Sequence, residues 1–574
     1  MREWNRRWAY PRLINATNRP FLEEFERRWG HTLKTLRGDV PGTDYPVGAT
    51  GTPKETAVDR NAHELLHAAE AWACVAALHA GYDYPADTLE RAYREVFYYD
   101  LHCWGLSHIG GPAQDGHWAE KGIRAYRGAA LAHDVLVKAT NRLADKIGYP
   151  DDGYYLTVFN PLAEERTDLV RASLSPWGPC GMPMHWRGPD ERHPWPVWVA
   201  GRAIGRDIVS PPAALFQQPF ELVDVETGER LPYQLVSLDS PVAAQPWAAE
   251  RYALGQVELQ GGRSNEYLKE LVFVAEGLPA LGYRTYKMVP SSKWPSVAHA
   301  ARTGPTAMEN EFYRLEADPA RGGIVNLVDK ELGREWVDPS AAHVLGQFIV
   351  RASDTAQEEV ARVTDIALVE HGPICSTLRL RASASCCPRI VMEITLYHGL
   401  KRIDLAARIL RDSTPMRELY IAFPFQVEQP QFRFEAPGSV IEPIRDQWPG
   451  SCTDYYGVQR WAAVGDGRHM VTWTALDTPM VEFGGLWPGY VSEAHHGVRG
   501  PGYGHPFLQE GELTRSHIYS LVSYNNFRTN FVQSSPSEYL VRYAFSTQAG
   551  DWRTGRARRF GWGVQQPALG VWMR

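Results

Sequence analysis

Residues 310–338 read NEFYRLEADPARGGIVNLVDKELGREWVD. Strand-length runs rich in Val, Ile, Leu, Phe and Tyr alternate here with turn residues: Asp318-Pro319, Gly322-Gly323, and Asp329 through Gly333. Gly, Pro and Asp punctuate β-structure because they supply the backbone angles and side-chain acceptors of tight turns. The same grammar runs from Tyr154 to the C-terminus, in YYLTVFNP (154–161), ELVDVETGERLPYQLV (221–236) and IVMEITLYHGLKRIDLAARIL (390–410). The spacing of the turns predicts antiparallel β-sandwiches. The segment 291–305 reads as a linker between a first sandwich (151–290) and a larger one (306–574).

Upstream the period changes. Residues 54–150 read as three helices joined by short Gly/Pro loops, which is a three-helix bundle. In the first, Leu65, Ala69, Trp72 and Ala76 recur at helical spacing. The second follows Pro85, with Asp87 three residues before Glu90 as in a capping box. The third carries Ile123, Tyr126, Ala130, His133, Val137, Thr140, Ala144 and Ile147 before Gly148 and Pro150 stop it. Residues 1–53 hold one short amphipathic stretch (Phe21, Leu22, Phe25) and a Gly/Pro-rich segment, and read as an irregular remnant of something larger. The fold class is therefore mainly β with an α-helical bundle: the bundle first, then antiparallel sandwiches.

Composition narrows the function. The chain has 574 residues, enough for several domains, and a net charge of −7 with no long run of one sign. That disfavours nucleic acid, which needs a basic stripe, and gives no support to an anionic membrane surface. No apolar run approaches the ~20 residues of a membrane-spanning helix. The seven cysteines are an odd number at low density with no CxxC, which points to a reduced, cytoplasmic protein; a truncated N-terminus would hide any signal peptide. The 20 Trp, 27 Tyr and 19 Phe allow either sugar stacking or a large aromatic core, and the core is the commoner use.

The stretch 310–338 resembles the hallmark of glycoside hydrolase family 38, the α-mannosidases. VFNPLAEERTDLV (158–170), GLPALGYRTY (277–286), ITLYHGLKRIDL (394–405), ELYIAFPF (418–425) and YNNFRTNF (524–531) resemble further family segments in the same order. The helical part from His63 to Gly105 resembles the family's bundle, so the likeness covers about residues 37–547. The resemblance implies an N-terminal α/β barrel, the bundle, then sandwiches, with hydrolysis of terminal α-mannosides and retention of configuration. Only a barrel remnant precedes the bundle in this sequence.

Retention requires two carboxylates about 5 Å apart, one nucleophile and one acid/base. By resemblance, the family's zinc is bound by a His-x-Asp and the nucleophilic Asp on the barrel, and by one His at the end of the second bundle helix. None of the 19 histidines begins a His-x-Asp, so the catalytic residues are unknown in this chain. The last ligand has a counterpart in His102 of YYDLHCWG, where Cys103 stands in place of the family's usual Asp. Neighbouring Trp104 is a candidate to stack on a sugar, with packing as the other reading. The chain by itself is expected to be inactive, with the barrel encoded elsewhere or as a separate polypeptide partner; homo-oligomers are common in the family.

Two other classes compete. One is a barrel-less carbohydrate-binding or assembly module, which an exposed aromatic groove on the large sandwich would support. The other is a zinc peptidase, since His63–His67 reads HELLH and two His at i and i+4 share a helix face. The extended metzincin pattern fails at Glu70, and a polar helix face is the simpler reading. His495–His496 reads as a solvated loop, Cys386–Cys387 as structural, and His133 as a core histidine.

Overall fold

The computed structural model describes residues 1–35, 38–41, 45–104, 111–173, 218–237, 269–295, 302–353, 355–487, 507–525, 532 and 534–573. His495–His496, Cys180 and the end of YNNFRTNF lie outside these residues. In the stretch 310–338, Tyr313–Asp318 and Gly323–Asp329 pair antiparallel, with Arg314 opposite Val328 and Leu315 opposite Leu327. The turn residues do the expected work. Asp318 Oδ1 accepts from the Ala320 N–H, and Asp329 Oδ1 accepts from the N–H groups of Glu331 and Leu332. A Cβ at Gly323 would lie 2.6 Å from the Leu345 carbonyl, so only glycine lets the second strand meet residues 344–347.

This hairpin belongs to a five-stranded sheet that shares one core with a six-stranded and a nine-stranded sheet. The nine-stranded sheet runs from Arg362–His371 at one edge, through Ile403–Arg411 and Ser537–Ala549, to Ser439–Ile441 at the other. Along Ile403–Arg411 every second residue is buried, so Ile403, Leu405, Ala407 and Ile409 face inward with the period of a strand. Trp336, Trp473, Phe423 and Phe545 are fully buried in this core. The aromatic richness of the sequence is thus spent largely on packing.

The smaller sandwich has a three-stranded sheet (Arg166–Ser173, Lys269–Leu278, Gln234–Ser237) over a five-stranded one. Its core includes Leu156, Val158, Phe220, Phe273 and Tyr286. The last strand of the chain, Leu569–Met573, pairs with Tyr154–Phe159 in this sheet, Tyr155 opposite Met573. Dividing the sequence into one large sandwich over 306–574 misses that return, because pairing between strands so far apart leaves no local trace.

The helices are α1 (Arg2–Arg7), α2 (Asn18–Trp29), α3 (Pro53–His79), α4 (Ala86–Asp100), α5 (Pro112–Ala144) and α6 (Ala557–Gln565). Helices α1 and α2 bury nothing and are supported by exposed pairs such as Arg19–Glu23 and Arg28–Glu24. Residues 1–53 are therefore partly helical, not simply irregular. Helices α3, α4 and α5 form the bundle; the seam of α3 keeps Ala69, Trp72 and Ala76 of the sequence reading, while that of α5 keeps the period and shifts in phase. The buried residues of α3 are Ala62, Leu66, Ala69, Trp72, Ala73 and Ala76, with Leu65 only half-buried. Those of α5 include Ala125, Gly128, Ala129, Ala132, Val135 and Ala139, while Ile123 is exposed. The physical reason is close approach. A Cβ at Gly128 would lie 2.7 Å from Val96 Cγ2, so the interface selects small residues over large apolar ones. Filling that space would cost about 1–3 kcal/mol. The capping box does not form: Pro85 holds the N-cap of α4 without a side-chain hydrogen bond.

The bundle touches both sandwiches. Trp72 meets Phe159 edge-on at 5.1 Å. On the other side Arg60 donates to the carbonyls of Gln459 and Ala475, at 2.7 and 3.1 Å. These contacts seat α3 against both sandwiches, and the candidate site lies at the end of the neighbouring α4.

Candidate functional site

Helix α4 ends at Asp100, and Leu101 leaves it in an extended conformation (φ −54°, ψ 130°). His102 follows on the surface, with its Nε2 3.4 Å from Cys103 Sγ. Lys121, from α5, clamps the turn. Its Nζ donates to the carbonyls of Leu101 and Cys103, the latter at 2.8 Å, and lies 4.3 Å from the Trp104 ring centroid. Burial pushes the Lys121 ammonium down to about 8, against the opposing pull of the nearby Cys103 and of the carboxylates Asp100 and Asp59.

Trp104 is only 7% exposed, meets Tyr99 edge-on at 5.2 Å and is covered by Lys121. That placement fits the packing role and leaves little ring face for a sugar. The Tyr99 hydroxyl bonds with Thr56 Oγ1 at 3.0 Å and lies 3.3 Å from Thr52 Oγ1, which ties the end of α4 to the start of α3.

A second group adjoins the turn. Asp59 and His63 stand one turn apart on α3, and Asp100 faces them from α4. His63 Nε2 lies 3.1 Å from Asp100 Oδ2 and 3.5 Å from Asp59 Oδ2. Burial would pull His63 down, but hydrogen bonds to Asp100 and Asp59 and their charges outweigh it and carry the imidazole up to about 10. Burial raises Asp59, against the pull of His63. The sequence reading missed this trio; its signal was Asp59 at i−4 from a histidine, but nothing local could show that Asp100 completes it.

The HELLH residues do not converge on one point. Glu64 is committed to Arg460 at 2.8 Å and accepts from Gln566 at 2.9 Å. His67 faces Trp562 of α6, 6.3 Å between ring centroids. Among the described residues, the trio Asp59, His63 and Asp100 is the one group of three His, Cys, Asp or Glu ligand atoms gathered closely enough to share an ion, and His67 is not in it. A peptidase site would need Glu64 free and His67 beside His63. His133 is half-buried on α5, and burial lowers its pKa. The Cys386 and Cys387 sulfurs lie 3.7 Å apart in the core, and both thiols are free. No described helix is long and apolar enough to cross a membrane.

Residues 308–474 match the family model of the glycosyl hydrolases family 38 C-terminal domain. The chain is similar in fold to an alpha-mannosidase from Enterococcus faecalis V583, at 13% identity and a TM-score of 0.65, covering 100% of this chain and 64% of that one. It is similar to a second Enterococcus faecalis protein in glycosyl hydrolase family 38, at 13% identity and a TM-score of 0.63, covering 98% of this chain and 63% of that one. The family match in sequence thus falls within the large sandwich. No curated protein sequence matches it. The chain spans a little under two thirds of the length of the two solved proteins.

Proposed function

We propose that this chain forms the bundle and sandwiches of an α-mannosidase-like glycoside hydrolase that cleaves terminal α-mannosides with retention. The observation that carries the reading is the whole-chain likeness in fold to the alpha-mannosidase, together with the family match over residues 308–474. In this reading the nucleophile and the acid/base belong to a barrel that these residues do not supply, and the chain without it is inactive. Zinc, where the family holds it, grips substrate hydroxyls as a Lewis acid. His102 would be one of its ligands, since its imidazole sits on an exposed turn that Lys121 fixes. No His-x-Asp accompanies it, so these residues offer one donor of that set. Trp104 supports the turn from below. The free thiols fit a cytoplasmic setting.

The test is hydrolysis of an aryl α-mannoside by the purified 574-residue chain, with and without zinc. The expected result is no turnover by the chain alone and turnover on co-expression with a polypeptide bearing the family's barrel. Zinc-dependent turnover by the chain alone would overturn the reading, because carboxylates within these residues would then be doing the chemistry. The alternative of a carbohydrate-binding module would need an exposed aromatic groove. Among the described residues of the large sandwich, Trp448, at 41%, is the aromatic that stands more than a third exposed.

A further inference from the structure

The side chains of Asp59, His63 and Asp100 meet at a point that neither the α-mannosidase reading nor the family match uses. One ligand atom from each lies within 4.8 Å of the other two. The His63 Nε2 separations, 3.1 Å to Asp100 Oδ2 and 3.5 Å to Asp59 Oδ2, bracket a known value. Two ligands bound at about 2.0–2.1 Å to a tetrahedral zinc lie about 3.3 Å apart. A hydrogen bond explains this arrangement only in part. One ring nitrogen carries at most one proton, and that proton cannot serve two carboxylates with good geometry. A cation between the three atoms serves all of them.

Asp59 is the second observation. Its side chain is 5% exposed, and its Oδ1 is buried without a hydrogen-bond partner. A buried carboxylate oxygen left unpaired is costly unless something satisfies it. The lysine and arginine that feel its charge, Lys121 and Arg60, are committed elsewhere. Lys121 donates to the carbonyls of Leu101 and Cys103, and Arg60 to those of Gln459 and Ala475. On binding, the ion displaces the His63 proton; the two carboxylates and the neutral imidazole then carry a charge of minus two, which a divalent ion cancels.

We propose that Asp59, His63 and Asp100 form a binding site for a divalent transition-metal ion, with Zn²⁺ the occupant that fits best. The mixed nitrogen and oxygen donors select against Ca²⁺ and Mg²⁺, which take oxygen ligands. The His63 and Asp100 side chains are 37% and 45% exposed, so the ion is reached from solvent and keeps an open position for water. His102, to which the family resemblance assigns zinc, is not among its three ligands, and the site joins α3 to α4.

The test is equilibrium dialysis of the purified chain against Zn²⁺, with bound metal counted by mass spectrometry. The wild type is expected to retain one ion that His63→Ala and Asp59→Asn each weaken by about tenfold or more, while His102→Ala retains it. Asp100→Asn, at an exposed position, gives the same loss in a variant whose folding is least at risk, and circular dichroism of each metal-free variant checks the fold. Equal retention by wild type, His63→Ala and Asp100→Asn would overturn the proposal and leave a proton, as an imidazolium between two carboxylates, as the occupant. Loss in His102→Ala with no loss in His63→Ala would overturn it as well and place the ion at the family position.

Discussion

At the end of the bundle, Asp59, His63 and Asp100 share a point that solvent reaches. In the large sandwich, Arg351, Glu418, Glu482 and Tyr420 share one that it does not. There Arg351 Nη1 lies 3.7 Å from Glu418, and the Tyr420 hydroxyl reaches Glu418 at 3.0 Å and Glu482 at 2.7 Å. The Trp487 N–H donates to Glu482, and Arg351 returns a bond to the Trp487 carbonyl. Each carboxylate has a committed partner, and each of these residues is at most 1% exposed. The bundle trio has an open side and an orphaned oxygen. Sealed charge of the first kind fixes one packing; charge left open at a helix end can exchange a ligand.

That contrast can be broken at four points, in descending order of effect. Arg351→Met removes the guanidinium from the sealed cluster and leaves the buried Glu418 carboxylate without its counter-charge. It should cost about 3–5 kcal/mol in urea unfolding. Next is pH. Burial pushes Glu482 up to about 8 from the ordinary 4.5. Between those values the folded chain holds a proton that the unfolded chain has released. Stability from this group is therefore full below about 4.5 and lost as the pH rises through about 8. The slope is about 1.4 kcal/mol per pH unit, or roughly 2–3 kcal/mol between pH 6 and 8, and Glu482→Gln should flatten it.

Lys121→Met should cost about 1–3 kcal/mol, since two carbonyls lose their donor. It should also raise amide hydrogen exchange at residues 101–104; unchanged exchange there would mean that Lys121 does not hold the turn. Asp100→Asn should change metal-free stability least, by about 0.5 kcal/mol, because its carboxylate is nearly half exposed. A loss as large as that of Arg351→Met would erase the distinction between the two clusters.

The sequence carried the architecture and lost the details that depend on distance. Strands and turns in 310–338 were legible because Asp318, Gly323 and Asp329 act on neighbours a few residues away. Helical period was legible in α3 and α5; the buried face was legible in α3 through Ala69, Trp72 and Ala76 but not in α5. The reading favoured Leu65 and Ile123, whereas close packing against Val96 selects Gly128 and the alanines around it. His102 was reachable only through resemblance. The trio and the Lys121 clamp were not reachable, since each joins helices whose relative rotation no local pattern encodes.

The pairing of Tyr154–Phe159 with Leu569–Met573 orders events during synthesis. The small sandwich begins emerging from the ribosome before the large one, yet one edge of its sheet waits for the final strand. Until then Tyr154–Phe159 presents an unpaired row of amide and carbonyl groups to anything nearby. A nascent chain held at that stage is a client for a chaperone, and removing the last six residues should turn a transient hazard into a lasting one, read out as aggregation in a protein whose large sandwich is intact.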